Sequence, residues 1–496
     1  MKKIKYLILS LLLAQGFVAC ENVDFGDLNK NTNGPSDPYT AGLLSGAIMD
    51  YATTTGRDGL MRPTLYVQYQ SQVTYVDEML YNAIPISWYG YYVDPLSSLQ
   101  LVIDYCSDEA NQTPALLSQG SVENQIGVAT ILKAVVFKRV TDSYGDIPFS
   151  SALGGTEDIS PAYDKQEDIY KTLISDVKAA RDMMDASTNA PTGDIIYGGD
   201  VDNWKKFANS FIMQLSIQLS KKFPAAGGYA ATEFNSALTN ANGVIETIDE
   251  EAWFHFEDNA GFRNPWNANR TPDYFLSKEF TDALQGVGGL SPTSNTTYDS
   301  RIEVIADGVG DGVPYGYEDG SGAGAVSVSN DNYWNNVTPL PLLTASYTFL
   351  NRAEAASMGW TSENANTMLR SGIELSFETL ENLSSIAGST VSIAKDGQSY
   401  AAARIADAAT VGIAQVIGEE KWISLFGQAF DTWSEWRRTG YPALVPGTDY
   451  FNDGNIPRRY LYPTEESTLN GTNLSTGISG LLPAEDKNTA KVWWDQ

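Results

Sequence analysis

Bulky apolar residues recur three or four positions apart in several separate stretches, and this spacing limits most of the chain to helices. Ile169, Leu173, Val177, Ala180 and Met184 share one helical face, entered through Asp164. Trp204, Phe207, Phe211, Leu215 and Leu219 form a second, with Asp202 or Asn203 at the N-cap. Trp422, Phe426, Phe430 and Trp433 form a third, wide stripe. Further helices are predicted near residues 38–52, 92–106, 121–142, 344–358, 362–382 and 400–417. A wide apolar stripe must be covered, so the fold is predicted mainly α, with helix pairs across short connections sharing one core as in helical-repeat proteins. No strict sequence period is legible. Between the helices lie irregular stretches rich in Gly, Asn, Asp and aromatic residues: Gly56 to Trp88, Phe254 to Tyr274 and Gly286 to Trp334. Loops of this length in compact proteins usually carry function or are disordered, and their many Trp, Tyr and Phe residues argue for order. A short strand is predicted at Ala252 to Phe256. No Pro/Ser-rich linker divides the chain, so residues 20–496 are read as a single domain.

The first 19 residues read as a signal peptide. Lys2, Lys3 and Lys5 precede the apolar run Tyr6 to Leu13, which is too short to span a bilayer. Phe17-Val18-Ala19-Cys20 resembles a bacterial lipobox, which implies cleavage before Cys20 and acylation of its thiol and amino group. Phe17 departs from the usual Leu, and the alternative is an ordinary cleaved signal with an incidental cysteine. Two or more acyl chains make a stable anchor, at roughly 0.8 kcal/mol per buried methylene. No later segment reaches the ~20 apolar residues of a membrane helix. The acidic and polar Glu21, Asn22, Val23 and Asp24 follow.

Hydrophobic residues make up 43% and aromatics 11%, enough for a large core. The formal charge is −29, which disfavours nucleic acid as a partner. Cys106 is the only thiol besides Cys20, so no intrachain disulfide is predicted and Cys106 is read as a small buried apolar residue.

Catalytic and metal motifs are few. His255 is the single histidine, within the alternating Trp253-Phe254-His255-Phe256, and reads as a strand residue. Neither a His/Cys zinc site nor a Gly-x-Ser-x-Gly nucleophile elbow nor a Walker loop can be assembled. Gly320 to Ala325 loosely matches a dinucleotide fingerprint without a preceding strand, and reads as a loop. Asp307 to Gly312 could offer oxygens to calcium but lacks EF-hand spacing, so no metal and no cofactor is predicted. Among 61 acidic residues, spacing alone singles out no glycosidase pair.

Binding suits the composition better. Aromatic rings cover the C–H faces of sugars while Asn, Asp and Arg take their hydroxyls. The richest candidate is the loop from Phe262 to Arg270, with Trp266 as platform and Phe262, Arg263, Asn267 and Arg270 around it. Tyr315, Tyr317 and Trp334 form a second candidate cluster. Trp88, beside Tyr89, Tyr91 and Tyr92, is a third, although helical packing explains those rings equally well.

Six blocks in order carry a family resemblance. They are Asp27-Leu28-Asn29-Lys30-Asn31-Thr32-Asn33 before Pro35; Thr141-Asp142-Ser143-Tyr144-Gly145-Asp146-Ile147-Pro148-Phe149; and Tyr197-Gly198-Gly199-Asp200 with Trp204 to Ser210. Then come Pro341 to Thr344 leading to Ala353-Glu354-Ala355 and Gly359-Trp360; Trp433 to Pro442 with Ile456-Pro457-Arg458-Arg459 and Tyr462-Pro463; and Trp493-Trp494-Asp495. The chain resembles the SusD/RagB-type outer-membrane lipoproteins, specifically their second large subfamily. It departs from them at Phe211 to Leu215, where relatives often place arginines, and at Asn351-Arg352, where relatives are apolar.

The resemblance implies a scaffold of tetratricopeptide-like helix pairs with an irregular ligand-binding part. It also implies a lipid-anchored, cell-surface protein that binds nutrient oligosaccharides without turnover and closes over a SusC/RagA-type TonB-dependent transporter. A peptide ligand is the alternative within the same system; a carboxylate-based surface glycosidase is the alternative from another class. The shared Arg437-Arg438 pair and the Tyr144 to Pro148 turn are read as scaffold.

Overall fold

Helix boundaries follow local chemistry more closely than the periodicity does. The computed structural model describes residues 37–54, 57–155, 159–259, 261–268, 271–329 and 331–496, without the side chains of 54–60 and 267–271. The predicted signal segment, Cys20, the block opening at Asp27 and Arg270 lie outside the described residues. The Val122–Tyr144 helix starts where Ser121 Oγ accepts the Asn124 N–H and stops at Gly145, whose φ of 97° suits glycine. Asp200, rather than Asp202 or Asn203, caps the Val201–Gln218 helix by accepting the Asn203 N–H. Asp164 is not a cap either. It pairs with Ile147 in a short strand and accepts the N–H groups of Phe149 and Ser150, and the Gln166–Met183 helix begins after Lys165.

Two predicted elements divide. The helix expected over 400–417 is the pair Gly397–Val411 and Ile413–Ser424, broken at Gly412 with φ 98°. The Trp422 to Trp433 stripe spans two helices, Ile413–Ser424 and Ala429–Thr439, with Gly427 between them at φ 91°. A Cβ on Gly427 would also lie 2.4 Å from the Tyr333 hydroxyl. The periodicity survives this turn because both helices address one core. The stretch after Gly56, read as irregular, contains the Arg57–Tyr66 helix and the Gln70–Gln72 strand. Gly59 and Pro63 hide that helix from propensity, and packing on the Ala429–Thr439 helix supports it.

Consecutive helices pack as pairs. Ser97–Ser107 meets Val122–Tyr144, which meets Gln166–Met183, then Val201–Gln218, then Tyr229–Leu238. Ala345–Ser357, Ala365–Ile386, Gly397–Val411 and Ile413–Ser424 form a second such series. Residues Thr40–Gln496 cluster as one unit. Among the described residues, three two-stranded antiparallel sheets punctuate the helices: Gln70–Gln72 with Tyr274–Leu276, Ile147–Pro148 with Tyr163–Asp164, and Ala252–Phe254 with Leu340–Leu343. The mainly helical class expected from the periodicity is the observed one.

Charged groups tie the series together inside the core. Arg437 donates to the carbonyls of Asp142 and Arg458, and its guanidinium lies 3.8 Å from the Trp433 ring centroid. Arg438 bridges Glu354 and Glu435. Arg352 joins Glu246 and Glu363 near the surface.

Glu251 sits at the start of the Ala345–Ser357 helix and accepts from Ala345 N–H, Thr379 Oγ1 and Trp253 Nε1. Burial pushes its carboxyl up from 4.5 to about 8, against those three hydrogen bonds. A raised folded-state value means its contribution to stability is complete below about 4.5 and is lost as pH rises through about 8. Across that window it should cost roughly 1.4 kcal/mol per pH unit. Urea unfolding of Glu251→Gln between those limits should show a flatter pH dependence than the wild type; parallel curves would refute this role.

Candidate ligand-binding face

Three loops, residues 73–82, 314–320 and 445–455, are bonded side by side at one edge of the helical body. The Phe451 N–H donates to the Leu80 carbonyl at 2.7 Å, and the Asp449 N–H to the Gly316 carbonyl at 3.0 Å. Asp449 Oδ2 accepts the Glu318 N–H at 2.8 Å, and Gln68 Nε2 donates to the Val445 carbonyl at 2.6 Å. Gly316 and Gly447 meet backbone to backbone: a Cβ on Gly447 would fall 2.3 Å from the Gly316 Cα. Only glycine permits this approach.

Beneath the loops, the buried Tyr315 donates its hydroxyl to the Met79 carbonyl and packs on Tyr81. Gln72 bonds both Met79 N–H and Glu78. On this base stand four exposed rings: Tyr75 at 66%, Phe451 at 60%, Tyr450 at 50% and Tyr317 at 40%. Exposed rings on a hydrogen-bonded platform offer apolar surface without a large ordering cost on binding. The Asn452 amide is bonded at both ends within its own turn and Asn455 Nδ2 donates to Asp453, while Asp77, Glu318 and Asp319 supply exposed carboxylates.

The residues nominated from sequence divide between surface and core. Tyr317 is exposed on the loop face. Trp266 is not a platform: it is 4% exposed and stacks on Trp334, itself 7% exposed, with ring centroids 3.9 Å apart. Trp334 stacks in turn on Phe426, so the rings form a column running into the core. The Asn264 side chain pins this turn, donating to the Thr338 carbonyl and accepting the Trp266 N–H. Trp334 and Tyr315 are therefore core residues, contrary to the sequence expectation.

Trp88 is buried too, edge-on to Tyr144 and Tyr462. Phe262 is exposed, and Arg263 pairs with Asp258 on a separate turn bonded to Asn336. Asn267 lies in the single turn Pro265–Ala268, its side chain not described. Tyr75, Tyr450 and Phe451 were missed from sequence. For the last two the signal was present, because Thr448 to Asn455 has the same Asn/Asp/Gly-aromatic composition as the Phe262 loop.

A groove of about 500 Å³ lies elsewhere, floored by Trp88 and Tyr92 and rimmed by Val93, Ile159 and Leu469. Glu466 inside it is already bonded by the Tyr89 and Tyr163 hydroxyls. Among the described residues no three His, Cys, Asp or Glu side chains converge as a metal site, and the exposed Asp307 and Asp311 belong to no such group.

The family model of SusD-like proteins of the second group, described as starch-binding and associating with the outer membrane, matches residues 32–463. This chain belongs to the SusD-like family. The resemblance drawn from its sequence blocks is thereby confirmed. Its fold matches a chitin-binding protein with a TM-score of 0.76 at 25% identity, over 92% of this chain and 100% of that one. A SusD homologue of Bacteroides fragilis matches with a TM-score of 0.76 at 22% identity, over 93% and 100%. A chitin-binding SusD homologue of Flavobacterium johnsoniae matches at 0.70 and 21%, over 92% and 99%. No curated protein sequence matches the chain.

Proposed function

We propose that this SusD-like protein captures nutrient oligosaccharides at the cell surface on its three-loop face, without cleaving them, and passes them to a TonB-dependent outer-membrane transporter. The observation that carries the reading is the set of four exposed rings, Tyr75, Tyr317, Tyr450 and Phe451, on loops bonded into one platform. Two structurally similar proteins described as chitin-binding support a glycan as the ligand class. The family's description as associating with the outer membrane supports the location, and the lipobox-like Cys20 supports a lipid anchor.

Stacking one ring on a sugar contributes on the order of 1–2 kcal/mol, so Tyr317→Ala and Phe451→Ala should each weaken glycan binding roughly ten-fold. Both side chains are exposed, so stability should hold within about 0.5 kcal/mol. Isothermal titration with chitin oligosaccharides and hits from a glycan array, beside thermal unfolding, checks both statements. Full affinity in both variants, or saturable hydrolysis abolished by replacing one carboxylate, would overturn the reading.

Extraction in mild detergent should recover an outer-membrane barrel together with the lipoprotein, and Cys20→Ala should free the protein from the membrane fraction. A lone monomer under several gentle conditions, or a Cys20→Ala protein that stays on the membrane, would count against the anchor-and-barrel part.

A further inference from the structure

We infer that the three-loop face selects glycans by charge, accepting neutral and amine-bearing oligosaccharides and rejecting those that carry uronates or sulfates. The inference rests on this face being the glycan site. Residues 73–82, 314–320 and 445–455 contain Asp77, Glu78, Glu318, Asp319, Asp449 and Asp453, and neither Lys nor Arg. Three of these carboxylates have partners in the protein. Glu78 is buried, bonded to Gln72 and 3.8 Å from Arg62; Asp449 accepts the Glu318 N–H; Asp453 accepts from Thr489 and Asn455. Asp77, Glu318 and Asp319 are exposed beside the rings, and among the described residues their side chains make no ion pair.

Among the described residues, the cations next to these loops are already engaged. Arg62 is buried 3.8 Å from Glu78, Lys278 lies between Asp282 and Asp311, and Lys487 holds Glu485. An approaching uronate or sulfate would therefore meet like charge, with no free cation among the described residues of the three loops to answer it. The chain's net charge of −29 adds to the same field. A neutral sugar meets the rings without this repulsion, and its hydroxyls can donate to the exposed carboxylates. An ammonium group gains attraction from carboxylates within a screening length of about 10 Å at 0.1 M salt.

The test uses three hexasaccharides on the purified soluble protein: N-acetylated chitin, its deacetylated form, and oligogalacturonate. At low salt the deacetylated form should bind several-fold tighter than the acetylated one, and oligogalacturonate at least about ten-fold weaker than it. Both gaps should shrink as salt is raised. They should also shrink in the triple variant Asp77→Asn, Glu318→Gln, Asp319→Asn, whose exposed positions spare the fold. Oligogalacturonate bound as tightly as the neutral hexamer, or gaps indifferent to both salt and the triple variant, would overturn charge selection while leaving the glycan site standing. Neutral and amine-bearing hexamers that both fail to bind, or that bind Tyr317→Ala and Phe451→Ala as well as wild type, would remove the site itself and the inference with it.

Discussion

Replacing Arg438 with alanine is expected to destabilise the protein by about 3–5 kcal/mol, the usual cost of breaking a buried ion pair from one side. The Arg438 guanidinium reaches Glu354 by two hydrogen bonds and Glu435 by a third, and Lys421 bonds the same two carboxylates. Glu435 also accepts the Tyr347 hydroxyl. These groups join the Ala345–Ser357, Ile413–Ser424 and Ala429–Thr439 helices.

Burial alone would raise the Glu354 carboxyl, but Arg438 and Lys421 outweigh it and hold it down at about 2. Its contribution is therefore present above 4.5 and lost as pH falls through about 2. Without Arg438, one buried carboxylate is left uncompensated, and protonating it in mild acid should recover part of the loss. Urea unfolding at neutral pH and near pH 4 should show the larger deficit at neutral pH. Arg438→Lys keeps the charge without the two-pronged geometry and should fall between wild type and alanine. A neutral-pH deficit below about 1 kcal/mol would show that Lys421 alone suffices.

Trp266→Ala is expected to cost a similar amount, about 3–5 kcal/mol, because it empties one end of the stacked column formed with Trp334 and Phe426. Trp266→Phe should cost far less. It keeps an aromatic ring, and it forfeits no hydrogen bond, since the indole Nε1 is buried without a partner among the described residues. Thermal and urea unfolding measure the two variants, and glycan affinity is measured on whatever remains folded. A stable Trp266→Ala protein with lost affinity would return Trp266 to the ligand surface.

Trp266 and Phe451 stand in sequences of the same kind, short aromatic runs among Asn, Asp, Gly and Pro, and composition assigns them the same role. The structure assigns them opposite ones. Trp266 is covered by Trp334 and, through it, by Phe426, both far along the chain. Phe451 is held outward because its backbone is bonded to Leu80, which lies far back in the chain. Tyr315 and Tyr317 make the point within three residues, one ring buried on Tyr81 and the other exposed.

By itself the sequence determined most of the long helices and their broad amphipathic faces, and its blocks carried the family resemblance and the scaffold reading of the Arg437-Arg438 pair. The faces are written in spacing over a few residues, where backbone geometry dictates which side chains lie together. Only the tertiary structure decided where the third stripe breaks, which aromatic rings became core and which became surface. A loop ring has no periodicity to mark its face, and its burial depends on segments that reach it from far along the chain.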